Sequence, residues 1–60
     1  MILTKLQKTM DDRQLTVEEL AAKSLMSARS ILNAKRGRGV ALNTAKRLAI
    51  CLRMKLEDLI

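Results

Sequence analysis

The chain contains no phenylalanine, tyrosine, tryptophan or proline, although 48% of its 60 residues are apolar. Its core must therefore be built from leucine, isoleucine, valine, methionine and alanine. Sheets usually draw on aromatic and β-branched residues, whereas leucine, methionine and alanine favour helices. A chain of this length also buries only about 60% of the surface that its unfolded form exposes. The composition predicts one all-α domain spanning residues 1–60.

The spacing of the apolar residues predicts five helices. The first runs from Leu3 to about Arg13. Thr16 and Glu19 fit a capping box, in which the Thr16 hydroxyl accepts from the Glu19 N–H and the Glu19 carboxylate reaches back to the Thr16 N–H. A second helix is expected to begin there and to end near Lys23.

Ser27 is the expected N-cap of a third helix that begins at Ala28 and ends near Arg36. Gly37 lies where a left-handed residue would end this helix. The apolar spacing continues into a fourth helix over residues 42–52 and a short fifth over residues 56–60. Two short helices joined by a tight turn, the second beginning after a serine, describe a helix-turn-helix.

Charge is unevenly distributed along the chain. The segment from Lys23 to Leu56 contains no Asp or Glu, and it holds most of the 12 Lys and Arg residues of a chain whose net charge is +6. The positive charge of this segment favours binding of a polyphosphate, because each neutralised phosphate releases condensed counterions. The alternative is a solvated basic face without a partner. Lys46 and Arg47 are expected to form such a solvated rim, with a contact to DNA as the alternative.

The chain offers little for catalysis or metal binding. It has no histidine and a single cysteine, Cys51, and its acids occur as adjacent pairs. No nucleophile and base, and no set of metal ligands, can be assembled from these residues. We expect no enzymatic activity, no metal, no cofactor and no small-molecule substrate. No apolar run reaches the roughly 18 residues of a membrane span, and no signal peptide is recognisable, so a cytoplasmic location is expected.

Several parts of the sequence agree in their spacing, namely residues 15–24, Ser27, Ile31, residues 36–49 and residues 56–59. Together they resemble the phage-repressor and Cro type of helix-turn-helix. The resemblance covers nearly the whole chain, from about Leu3 to Ile60. It implies a compact five-helix domain whose third helix enters the DNA major groove. It also implies a homodimer on a roughly palindromic site.

The resemblance assigns DNA-contact roles to particular residues. Carried onto this chain, it implies that the third helix reads bases through Ala28, Arg29, Leu32 and Asn33. It implies phosphate contacts at the starts of helices two and three and in the following loop, through Val17, Ser27, Arg36 and Arg38. The family commonly has glutamine at the position of Val17, so only the backbone N–H groups at that helix start are left to bind a phosphate.

Other positions also depart from the family pattern. Leu25 and Arg53 stand where glycine is frequent, and a left-handed backbone at either would cost roughly 1–2 kcal/mol. Ala41 stands where a serine or threonine cap is common, and Asn43 could instead cap a start two residues later. Lys35 replaces a frequent glutamate and adds to the positive face.

The chemistry of the third helix supports direct base reading. Arginine can pair with guanine O6 and N7, and asparagine with adenine N6 and N7, each contact being worth about 1–3 kcal/mol of discrimination. Arg29 and Asn33 are spaced to face one groove. For Arg29 the alternative is a phosphate contact or a solvated side chain, and for Asn33 a local hydrogen bond. Ala28 or Leu32 could rest against a thymine methyl, and Leu32 could equally contact the core or a protein.

Four apolar residues near the C-terminus exceed the needs of a minimal core, namely Ile50, Met54, Leu59 and Ile60. Apolar side chains left on a surface often mark a partner interface. We expect homodimerisation through this end of the chain. The alternative is that a small domain uses them all for its own core.

These observations favour a sequence-specific regulator that binds double-stranded DNA, most simply a repressor that occupies its operator as a dimer. One alternative is a protein-interaction module of the antitoxin or regulatory type with secondary DNA binding. Another is a basic helical domain that binds RNA or an anionic surface through charge alone.

Overall fold

The computed structural model describes residues 1–60 and is all-α, as predicted. Helix α1 spans Leu6–Asp12, α2 Val17–Ser24, α3 Ala28–Lys35 and α4 Leu42–Leu52, and a 3₁₀ turn spans Leu56–Asp58. The prediction of five helices is wrong, because the fifth is only this 3₁₀ turn. Leu59 follows this turn and lies in the core, and its carbonyl accepts the Lys5 N–H at 2.9 Å.

The first helix is shorter than predicted. It begins at Leu6, and Leu3 lies in the preceding turn, where its carbonyl accepts the Leu6 N–H at 3.1 Å. Leu3 is nevertheless buried, as are Leu6 and Met10. The helical spacing therefore identified the inward-facing residues correctly but placed the start of the helix one turn too early.

The core is entirely aliphatic. Helix α2 packs against α3 and α4, α1 packs against α3, and the 3₁₀ turn packs against α4. The buried apolar residues are Leu3, Leu6, Met10, Leu20, Ala21, Ile31, Ala34, Ala45, Leu48, Ala49, Leu52 and Leu59. None of the helices has the length and apolar content that crossing a membrane requires.

Two of the predicted helix starts are confirmed. The Thr16 hydroxyl accepts the Glu19 N–H at 3.1 Å, and the Glu19 carboxylate accepts the Thr16 N–H at 3.2 Å, which completes the capping box. The Ser27 hydroxyl accepts the Ser30 N–H at 3.2 Å at the start of α3. Helix α4 begins directly after Ala41 with no side-chain cap, so Asn43 lies inside the first turn and does not cap a later start.

All four helices end with the same backbone arrangement. One residue adopts a left-handed conformation, and the next residue donates its N–H to a carbonyl five residues earlier, as in a Schellman motif. The left-handed residues are Gln14, Leu25, Gly37 and Arg53, with φ of 55°, 57°, 84° and 55°. The corresponding bonds are Leu15 to Met10, Met26 to Ala21, Arg38 to Asn33 and Met54 to Ala49, at 2.8–3.1 Å. Only α3 uses glycine for this conformation.

The residue after the left-handed one explains how three helices tolerate a side chain there. Leu15, Met26 and Met54 are partly buried and pack against the core. This apolar contact offsets the steric cost of the left-handed backbone, which is roughly 1–2 kcal/mol for each residue. Leu25 and Arg53 therefore keep the backbone that glycine would normally supply.

Two side chains complete the helix ends. The Ser24 hydroxyl is buried and donates to the Leu20 carbonyl at 2.7 Å within α2. The Arg13 guanidinium donates through Nη1 to the Leu52 carbonyl at 2.6 Å. This cation lies at the C-terminus of α4, where it balances the negative end of the helix dipole and links α1 to α4.

Burial corrects part of the predicted partner surface. Leu59 is 0% exposed and belongs to the core, so the prediction that it contacts a partner is wrong. Met54 is partly buried and packs against the same core. Ile50 and Ile60 are exposed. The domain is small enough to need two of these four side chains for its own stability.

The Leu25→Gly substitution is expected to stabilise the fold. Leu25 is 88% exposed, so little packing is lost, and removing its Cβ relieves a left-handed strain of roughly 1–2 kcal/mol. Glycine loses more conformational entropy on folding, by roughly 0.5–1 kcal/mol, which leaves a net gain of about 0.5–1 kcal/mol. Thermal melting of both proteins measures this as a rise of a few degrees, and a lower midpoint would show that the leucine side chain supports the turn.

Candidate nucleic-acid interface

Helix α3 divides into a buried face and an accessible face. Ile31 and Ala34 point into the core, where both are fully buried. Arg29 and Asn33 lie four residues apart on the other side, so their side chains are neighbours on the helix surface. Arg29 is exposed, whereas Asn33 is half-buried. The core thus anchors this helix through one side and leaves two hydrogen-bonding side chains facing outward.

The accessible face of α3 borders a single open groove shared with the start of α2 and the α3–α4 loop. The groove is lined by Val17, Glu18, Ala28, Arg29, Leu32, Asn33, Arg36 and Arg38. It therefore brings together all the predicted DNA-contact residues except Ser27. Residues that are distant in the sequence meet here because α2 packs directly on α3.

The start of α2 gives the groove backbone donors. The Thr16 hydroxyl satisfies the N–H of Glu19, which leaves the N–H groups of Val17 and Glu18 directed out of the helix end. The positive end of the helix dipole lies at the same point and favours an anion. The Val17 side chain is partly buried against the core, and the residue also lines the groove.

Glu18 was not predicted to be part of the site. It is exposed in the first turn of α2 and is the only carboxylate that lines the groove. A carboxylate repels phosphate but can accept a hydrogen bond from the amino group of cytosine. The sequence did show that Glu18 directly follows Val17 at a helix start. Its proximity to α3 could not be predicted, because it depends on how the two helices cross.

Ser27 lies at the start of α3 but does not line the groove. Its hydroxyl is occupied locally, because it caps Ser30 and lies 2.9 Å from the Ser30 hydroxyl oxygen. The residue therefore has a structural role as an N-cap. A phosphate contact by Ser27 remains a prediction.

The α3–α4 loop carries two cations on either side of a glycine. Gly37 has φ of 84°, and the following Arg38 donates its N–H to the Asn33 carbonyl at 3.1 Å. The residues after the left-handed position in the other helix ends are apolar and pack inward, whereas Arg38 is exposed. The same turn geometry thus holds Arg36 and Arg38 at the edge of the groove.

The chemistry of this surface is that of recognition. No cluster of three or more His, Cys, Asp or Glu residues could hold a metal ion. The groove offers planar guanidinium donors, one amide, a carboxylate, two helix-end N–H groups and small apolar surface. Guanidinium and amide groups match base edges in the major groove, and cations and backbone N–H groups match phosphates.

Comparison with known families identifies the class of this domain. Residues 5–60 match the model of the Cro/C1-type HTH DNA-binding domain. The match covers far more than half of the chain, so the chain belongs to this family, which confirms the resemblance found in the sequence. No curated protein and no solved structure matches the chain significantly.

The Gly37→Ala substitution is expected to destabilise the domain by about 1 kcal/mol, because a Cβ at a left-handed position is strained even where space is free. No atom lies within 4 Å of the position that this Cβ would take, so the effect is one of the backbone alone. Gly39→Ala is the matched control, since its Cβ also meets nothing within 4 Å and its φ is not left-handed. Thermal melting should separate the two variants, and equal midpoints would contradict the role of Gly37.

Proposed function

We propose that this chain is a transcriptional regulator that binds a specific duplex DNA sequence by inserting α3 into the major groove. The observation that supports this most strongly is the groove that collects Arg29, Asn33, Arg36 and Arg38 beside the N-terminus of α2. These groups come from three segments of the chain, and the core holds all three segments. Membership of a DNA-binding family supports the same function.

The dimensions are suitable for major-groove binding. An α-helix with its side chains is about 10–12 Å wide, and the major groove of B-DNA is about 12 Å wide. Ala28 and Arg29 lie in the first turn of α3, the part of a recognition helix that contacts base edges in this motif. Ala28 is small enough to let the helix approach closely, and its methyl group and Leu32 offer apolar contact to thymine.

Two kinds of contact follow from the positions of the polar groups. Arg29 and Asn33 project from the exposed face of the inserted helix and would read base edges. Arg36, Arg38 and the N–H groups at the start of α2 lie at the edges of the groove and would hold the phosphates on either side. Phosphate contacts fix the register, and base contacts supply the discrimination.

A repressor that acts by occupying a palindromic operator as a dimer fits this arrangement best. The Cα atoms of the domain extend over 21 × 21 × 19 Å. Half-sites one helical turn apart are separated by about 34 Å, so two domains of this size fit side by side on one face of the duplex. Occupancy of the site is all that repression of this kind requires.

The dimer contact is proposed to involve Ile60 and its neighbours. The Lys5 N–H donates to the Leu59 carbonyl at 2.9 Å, and the Val40 N–H donates to the Met1 carbonyl at 2.7 Å. These bonds bring the start of the chain to both the C-terminal segment and the α3–α4 loop. Exposed apolar residues that flank these bonds include Ile2, Leu42 and Ile60, with 46–49% of their surface accessible.

The function predicts that selection from a random duplex pool yields one palindromic motif, and that Arg29→Ala loses discrimination on it. Removing a bidentate contact should cost about 1–3 kcal/mol on the selected site and much less on scrambled duplex. Titrations of both proteins against both duplexes at one salt concentration measure this difference. Equal losses on the two duplexes would reassign Arg29 to a phosphate.

Arg36→Ala is the matched control for that experiment, since it removes the same charge from the edge of the groove. It should weaken binding to both duplexes alike and lower the slope of log affinity against log salt by about one. A pool that yields no enriched motif would favour a basic domain that binds RNA or duplex through charge alone.

The dimer predicts that Ile60→Asp raises the dissociation constant of the dimer by at least about tenfold, or about 1.4 kcal/mol. Binding to the full palindrome should weaken more than binding to a half-site. Sedimentation measures the dimer directly, and Ile50→Asp shows whether Ile50, the other exposed residue of the predicted partner surface, takes part in the contact. A wild-type chain that is monomeric both free and on the palindrome would rule the dimer out.

A further inference from the structure

A second surface depression lies between the end of α2 and the outer face of α4. Its lining includes Lys23 and Leu25 from the α2 end and Lys46, Arg47, Ile50 and Cys51 from α4. None of its lining residues lines the groove beside α3. The proposed DNA-binding function therefore does not account for it.

Two apolar side chains in this depression contribute little to the fold. Leu25 and Ile50 are 88% and 76% exposed and are the most exposed of the large apolar residues in the molecule. Full burial of such a side chain is worth about 1.5–3 kcal/mol, almost none of which is gained here. Leu25 in addition adopts the left-handed backbone that glycine would adopt without strain. An apolar partner would give both side chains the burial that the domain itself does not provide.

The surrounding charge restricts what that partner is. Lys23, Lys46 and Arg47 line the depression, and no carboxylate does. DNA would supply negative charge but would leave two large apolar side chains without an apolar surface. A second copy of the chain, related by a two-fold axis through this face, would bring these cations together. The complementary surface combines carboxylates with apolar side chains.

We infer that this depression is a docking site for an acidic amphipathic helix of a partner protein. Leucine-type side chains of that helix would cover Leu25 and Ile50, and flanking Asp or Glu side chains would pair with Lys23, Lys46 and Arg47. Helices that bind in grooves are recognised in this way, by apolar anchors at helical spacing. The two depressions share no residue. The inference does not depend on the proposed DNA-binding function.

The test uses the full chain, labelled with ¹⁵N, and a synthetic helical peptide of about 15 residues with leucine on one face and glutamate on the flanks. Saturable shifts are expected at the amides of residues 23–25 and 46–51. The peptide should also slow alkylation of Cys51, the only cysteine of the chain. A peptide with lysine in place of each glutamate, and one with serine in place of each leucine, should not bind.

Variants separate the contribution of each feature. Ile50→Ser and Lys46→Glu should each raise the dissociation constant of the peptide by about tenfold or more. Both residues are exposed, so melting curves should match those of the wild type. Lys8→Glu is the matched control for Lys46→Glu, because Lys8 is exposed on α1 and lies outside the depression, and it should leave peptide binding unchanged.

Three outcomes would overturn the inference. One is the absence of shifts at millimolar peptide, and another is equal binding to wild type and Ile50→Ser, which would indicate attraction through charge alone. The third is that a random DNA duplex shifts the amide signals of residues 46–51, and that it binds Lys46→Glu more weakly than the wild type but binds Ile50→Ser equally well. That result would assign the depression to flanking DNA. Loss of sequence-specific DNA binding would leave the inference intact, since that function depends on the other groove.

Discussion

Every helix in this domain is short and ends in the same way, and the remaining structure depends on these endings. Helices of 7–11 residues are not stable alone in water. Each is held by packing, and packing requires that the chain reverse direction within a few residues. The bond from each residue after the left-handed position to a carbonyl five residues earlier produces that reversal. Where the next residue is apolar, the turn also contributes to the core. Where it is Arg38, the turn presents a cation to the groove.

The core of this domain contains no aromatic residues and must be filled by smaller side chains. Aliphatic side chains must fill the interior from four helices and from the segments between them, and the domain therefore uses Leu3 before α1 and Leu59 after the 3₁₀ turn. The Lys5 and Leu59 backbones are joined by a hydrogen bond, so the two ends of the described chain close the core together. The hydrogen bond from Arg13 to the Leu52 carbonyl joins the end of α1 to the end of α4. Local residues determine where the helices begin and end, and long-range contacts of this kind hold the helices together.

Local features were the ones that sequence predicted well. The capping box at Thr16, the Ser27 cap and the glycine end of α3 depend on residues within one turn of each other, and their hydrogen bonds are as expected. The burial of Leu59 and the shortening of the last helix were missed, because they depend on residues 3–5 arriving from the other end of the chain. Glu18 in the groove and Ile50 beside Leu25 were missed for a similar reason, since the crossing of α2 with α3 and with α4 determines which side chains meet. Arg29 and Asn33 were predicted to share a face, which helical periodicity alone ensures.

The division of α3 into two faces has a consequence for how such a domain can change. Only Ile31 and Ala34 tie this helix to the core, and neither lines the groove. The positions that hold the fold and the positions proposed to read DNA are therefore separate sets of residues. Under the proposed function, exchanging Arg29 and Asn33 for other polar side chains changes the preferred duplex sequence and leaves Ile31 and Ala34 packed as before. If the domain regulates genes as proposed, duplicated copies can diverge in the sites they occupy while their stability stays constant, and new regulatory circuits can arise through a few surface substitutions.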